Sequence, residues 1–218
     1  MFKGIGAMKS AALLAACATI FLAAGCKTTG TERAAKAAES LEALQADIQT
    51  AADRLGASVT ALNDLVKSPK EDPKPQFVAF TTAMDALEAQ LGVVRNRKEA
   101  MKARGQEYFK NWEESSKTLS SPEMKQYSEE RRGQLGKIYD DIKAEIDRAN
   151  ELGKPLMTSL RDTRTFLAMD LTASGLALAA KPAEKANTDA EALKVEVEKL
   201  RNSLDEVARL LAPPAPKK

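Results

Sequence analysis

The chain is predicted to be all-α: elongated antiparallel helical hairpins forming a coiled-coil bundle of about five helices. Three observations carry this. Ala, Leu, Glu, Lys and Gln, all strong helix formers, dominate the 218 residues. No stretch alternates apolar and polar residues long enough to read as a strand. Apolar residues recur at three-four spacing through long segments, the heptad pattern of coiled coils.

Residues 1–25 read as a signal rather than as part of the fold. Lys3 and Lys9 precede an apolar run that ends Leu22-Ala23-Ala24-Gly25-Cys26. The run, at about 14 residues, is shorter than the roughly 20 that a membrane-spanning helix needs, and fits a removable leader. Small residues before a cysteine are the layout of a lipoprotein signal, although Ala23 stands where leucine is usual. Cleavage there would leave Cys26 as a lipidated N-terminus, and two or more acyl chains hold a protein firmly to a bilayer. Lys27 follows. An aspartate at that place commonly retains a lipoprotein in the inner membrane of Gram-negative bacteria, so the lysine points to the outer membrane, with the chain facing the periplasm. Residues 26–33 are read as a lipidated tether, 34–212 as the helical coiled-coil bundle and 213–218 as a Pro/Lys tail.

The first helix is expected from about 32 to 66, with Leu41, Ile48, Leu55 and Leu62 in one row. Pro69, Pro73 and Pro75 break it. The second runs from about 76 to 119, through Phe77, Met84 and Leu91 and through Phe80, Leu87, Val94, Met101 and Tyr108. Ser120-Ser121-Pro122-Glu123 is a turn and helix start, with serine capping and proline in the first turn. The third helix is expected to reach about 152, where Gly153-Lys154-Pro155 marks a kink or break. The fourth continues to about 180 and Lys181-Pro182 ends it. Thr188 and Glu191 form a capping box for a fifth helix, which carries Leu193 to Leu211. Phe166 to Ala180 is rich in Ala and Gly, which suits close helix packing; its length and Asp170 exclude a membrane span.

Antiparallel hairpins should hold a constant register. Leu62 with Phe80, Leu55 with Leu87 and Leu41 with Met101 do so for helices one and two. Tyr108 with Leu135, Met101 with Ile142 and Val94 with Ala149 do so for helices two and three. Helices four and five are expected to pair Leu160 with Val207 and Leu156 with Leu211.

Charge and composition narrow the function classes. Of 33 basic and 31 acidic side chains, two lysines leave with the signal, so the remaining body is balanced. A neutral surface is a poor match for the phosphate backbone of a nucleic acid. Removing Cys17 and lipidating Cys26 leaves no thiol for a disulfide, metal site or nucleophile. There is no histidine, which removes imidazole bases, the Ser-His-Asp arrangement and most zinc sites. No phosphate-binding glycine loop is present, and no cofactor is expected. The acidic doublets Glu113-Glu114, Glu129-Glu130 and Asp140-Asp141 place neighbouring carboxylates in different directions on a helix, as solvated charges do.

A few residues stand out. Lys98 and Glu145 interrupt the apolar seams and are expected to face each other, fixing register at some cost in stability; Arg131 is expected beside Trp112. Tyr108, Phe109 and Trp112 form an aromatic cluster that is either core or a partner patch, with Phe109 pointing off the seam. Lys218 is a candidate for covalent attachment to peptidoglycan.

Tyr108-Phe109-x-x-Trp112-Glu113, then Met124 to Ile138-Tyr139, Lys154-Pro155-Leu156, Phe166-Leu167 and Asp170-Leu171 resemble the envelope family catalogued as domain of unknown function 2959. The resemblance implies a helical coiled-coil envelope protein and no activity or site. The expected function is that of a non-enzymatic, lipid-anchored scaffold or docking module in the periplasm. Its expected partners are the membrane, through the lipid, a periplasmic protein, and a second copy of itself. The alternative is a lipid- or peptidoglycan-binding accessory lipoprotein.

Overall fold

A computed structural model describes residues 29–211, and all of the regular structure in them is helical. The described residues form four helices: α1 Gly30–Lys67, α2 Lys74–Ser116, α3 Pro122–Met169 and α4 Ala173–Leu211. They run up, down, up, down, each packed on its two neighbours in the ring, with the α2–α3 edge the most open. At 1.5 Å per residue the 38 residues of α1 span about 57 Å and the 48 of α3 about 72 Å. The result is a rod with a near end, where α1 begins and α4 finishes, and a far end, where α1 meets α2 and α3 meets α4.

The capping box Thr29-x-x-Glu32 starts α1. The Glu32 amide donates to Thr29 Oγ1 at 3.2 Å, and the Thr29 amide donates to Glu32 Oε2 at 2.7 Å. The helix therefore begins inside the span expected to be tether. At the far end Gln76 closes the α1–α2 loop. It is 5% exposed, and its amide group donates to Asp64 O, Asp64 Oδ2 and Ser68 O while its oxygen accepts from the Lys70 amide. One side chain thereby satisfies helix-end carbonyls that burial would otherwise strand. Ser121 caps α3 from Met124 N, with Pro122 and Glu123 in its first turn.

Four helices rather than five is a correction with two parts. Pro155 and Pro182 lie inside α3 and α4 and break neither. Each removes one main-chain hydrogen bond, costing about 3 kcal/mol against alanine. Flanking residues offset this through burial: Leu156 and Met157 follow Pro155, and Ala179 and Ala183 bracket Pro182, all at most 8% exposed. Thr188 opens no helix, and its hydroxyl donates back to Glu184 O.

The actual turn falls at Asp170-Leu171-Thr172, within the segment read as one continuous apolar helix. Asp170 Oδ1 accepts from both the amide and the hydroxyl of Thr172, and Thr172 Oγ1 accepts from Gly175 N. Gly175 is required there, because a Cβ would lie 2.1 Å from the Asp170 carbonyl oxygen.

The core has two halves. The far-end half joins Leu55, Leu62, Leu65, Phe80, Met84, Leu87, Leu156, Leu160, Leu167, Leu176 and the buried alanines Ala179, Ala183 and Ala186. The near-end half joins Leu41, Leu44, Met101, Leu135, Ile142, Leu200, Leu204, Val207 and Leu211. The expected registers of α1 with α2 and of α2 with α3 agree with this partition. The third does not, since Leu156 and Leu160 are in one half and Val207 and Leu211 in the other. Moving the turn to 170–172 shifts the pairing, so that Arg131 reaches Leu210 O and Arg148 approaches Glu196. Met124, Leu152 and Leu178 are exposed.

Polar pairs fix the α1–α4 register. Asn63 and Asn187 exchange amide hydrogen bonds of 2.8 and 2.9 Å, and each also donates to a main-chain carbonyl of its own helix, Val59 O and Ala183 O. Gln45 crosses to Arg201 O, and Gln90 crosses from α2 to Asp47 O.

Candidate functional site

The near end gathers the residues with the most unusual surroundings. Heptad spacing brings Gly105 of α2 against α3, where the hydroxyl end of the Tyr139 ring packs on it. A Cβ at Gly105 would stand 2.6 Å from two ring carbons. The Tyr139 hydroxyl donates to Lys102 O at 3.3 Å, and the Lys143 ammonium sits 5.0 Å from the ring centroid. Phe109 meets Tyr139 edge-on at 5.8 Å, while Tyr108 meets Phe109 at 5.5 Å and Trp112 at 5.6 Å. The Trp112 indole N–H donates to Ser128 Oγ, which also pairs with Ser116 Oγ at 2.7 Å.

Tyr108, Phe109 and Trp112 are each half-buried and pack on the near-end core. Phe109, expected off the seam, is tied to Tyr139 instead. Beneath the cluster is a cavity of about 30 Å3 lined by Leu41, Met101, Gly105, Tyr108, Leu135 and Val207 among others. That is room for about two waters, and its lining is largely carbon. Burial raises both phenols above 10.0, with Arg131 pulling Tyr108 back down and Lys143 doing so for Tyr139. A phenol held protonated is unsuited to act as a base near neutral pH.

Lys98 and Glu145 form no ion pair. Lys98 Nζ lies 3.7 Å from Glu99 and Glu145 Oε1 3.9 Å from Arg148, while Glu145 Oε2 is buried without a partner. Glu145 lines an open groove of about 290 Å3 between α3 and α4, with Asp141, Arg148, Ser203 and Glu206. Arg131 donates to Leu210 O, and the place beside Trp112 is taken by Ser128. The acidic residues Glu113 and Asp140 are exposed and paired with Lys117 and Lys143. Among the described residues no group of three or more Asp, Glu, Cys or His could hold a metal. Cys26 and Lys218, the candidate lipidation and peptidoglycan sites, lie outside the described residues.

By length and composition α2 is the one described helix able to cross a membrane. One of its faces is committed to the core, however, and some of its charges to α3. Phe80, Met84 and Leu87 are at most 1% exposed in the core, and Asp85 and Glu88 on the same stretch bind Arg164 and Arg161 of α3.

A family model described as "Protein of unknown function (DUF2959)" matches residues 25–212. The chain belongs to that family. No curated protein matches it, and no solved structure does. The match spans the whole bundle, so the near-end cluster and the far-end turn both fall within what the family model describes.

Sequence reasoning missed Tyr139, Ser128 and the Asn63–Asn187 pair. A signal existed for the first: a glycine in an apolar seam implies a large side chain filling its place from the facing helix. No comparable signal marked the asparagines, because the α1–α4 pairing depended on the helix count.

Proposed function

We propose that this protein is a lipid-anchored envelope spacer, a rigid helical rod held to a membrane at Cys26 that presents its far end to a periplasmic partner without catalysing a reaction. One observation carries the reading. With four helices, the first described residue of α1 and the last of α4 sit at the same end. The far end then stands about 57 Å from the start of α1. It exposes Val78, Met169 and Leu178, at 60, 77 and 65%. The lipoprotein pattern before Cys26 supports the anchor, and the capping box at Thr29 supports a stiff rod that begins directly after it.

The same geometry weighs against peptidoglycan attachment through Lys218. A five-helix chain would release its tail at the far end, whereas here the tail follows Leu211 at the near end. At about 3.5 Å per residue it extends at most ~25 Å, well short of the far end.

The test is photo-crosslinking of the full-length protein in intact envelopes, with a crosslinking residue at position 78, 169 or 178 and a mid-rod control at position 195. One recurring protein captured from all three far-end positions and not from 195 supports docking at the far end. Equal yields along the rod would refute it, and a muropeptide on Lys218 would favour the accessory-protein reading.

A further inference from the structure

Among the described residues the α2–α3 turn extends furthest at the near end. Asp47 fixes the level of α2 against α1, accepting from Gln90 at its carbonyl and from Arg97 at its carboxylate. Counting equal rises along both helices from that level, Gly30 stands level with about Asn111. Trp112 to Ser116, the connecting turn and the first turn of α3 therefore project past the start of α1, by roughly 8 Å of helix plus the turn. This tip is stiffened by the Trp112–Ser128–Ser116 hydrogen bonds and by Arg132 beside Glu113. It exposes Met124 at 51% and Tyr127 at 53%, three residues apart on one face of α3.

The length of chain before α1 decides what the tip meets. Cys26 to Gly30 spans at most about 14 Å even when fully extended. A rod tethered at Cys26 therefore cannot stand clear of its membrane by much more than its own tip projects. We propose that the α2–α3 tip rests on the lipid surface that holds the anchor, with Met124 and Tyr127 entering the interfacial layer. This rests on the lipid-anchor reading above. Tyrosine suits such a layer, having an apolar ring and a polar end. The charges around the tip are of both signs, Lys117 and Lys125 beside Glu113 and Glu123, so the tip orients the rod while the acyl chains supply the attachment.

The test uses acylated protein purified from membranes, its lipidation verified by intact mass, in vesicles of phosphatidylethanolamine and phosphatidylglycerol. Met124→Cys and Tyr127→Cys carry an environment-sensitive nitrobenzoxadiazole probe, with Leu178→Cys as the far-end control. All three sites are exposed, and equal thermal melts check that each variant folds. The expected result is a blue-shifted emission at 124 and 127, quenched several-fold by nitroxide lipids, with neither effect at 178. Acylated, vesicle-bound protein whose tip probes match the control would overturn the tip contact and leave the anchor reading intact. Protein from membranes lacking acyl mass at Cys26 would overturn both.

Discussion

Replacing Asn63 tests whether α1 and α4 are paired as the structure has them. Each asparagine amide donates twice, once across the interface and once to its own helix, and each oxygen accepts once from the partner. Asn63→Leu removes both cross-helix bonds and leaves the half-buried Asn187 oxygen without its donor. A stranded polar group costs about 1–3 kcal/mol, and partial exposure puts this site toward the lower half. Asn187→Leu should cost the same. The double variant strands nothing and adds two apolar side chains to a seam already lined by Leu62 and Ala183. It should be near neutral, so two single losses of about 1–2 kcal/mol each give a coupling of about 2–4 kcal/mol. Urea unfolding of the four proteins reads this directly, provided the m-values agree. Additive losses in the double variant would show that the two residues do not meet and would refute the α1–α4 register.

Gly105→Ala should destabilise by up to about 2 kcal/mol, since overpacking against the Tyr139 ring outweighs the gain in helix propensity. Gly133→Ala, with nothing near its added Cβ, should instead stabilise by about 0.5–1 kcal/mol; thermal melts with the same sign for both would contradict the packing. Pro155→Ala should raise stability by about 1–3 kcal/mol because the proline lies inside a continuous helix, and a neutral result would indicate a break there. Tyr108 and Tyr139 have folded pKa values raised above 10.0, so their contribution is complete below that pH and is lost as pH rises through the folded values. Phenolate absorbance should accordingly develop later in the folded protein than in urea, and coincident curves would contradict the burial of the two rings.

The helical class, the first two hairpin registers and the Ser121 cap were legible because each rests on local signals: heptads, prolines in a loop, and a serine before a proline. The helix count was not. Proline and glycine at 153–155 and 181–182 are local breakers, and tertiary burial of Leu156, Met157, Ala179 and Ala183 overrode them. The true turn contains neither proline nor glycine, relying on Asp170 and Thr172 side chains, with Gly175 needed only because the Asp170 carbonyl crowds it. That single displacement changed the α3–α4 register and returned the C-terminal side of the chain to the near end. The aromatic cluster was visible as a stripe, while Tyr139 and Ser128, which hold it, depended on contacts between helices. The expected Lys98–Glu145 pair failed because facing positions do not guarantee that long side chains choose each other over nearer partners on their own helices.

The far-end reading, and the argument against attachment through Lys218, depend on where α4 finishes relative to where α1 starts. Spin labels at Lys36→Cys and Arg209→Cys, both exposed, measure this by double electron–electron resonance. Four helices place the labels on neighbouring helices at one end, about 15–30 Å apart including the label arms. A distance near 50 Å or more, roughly the length of α1, would put the two termini at opposite ends and contradict the account.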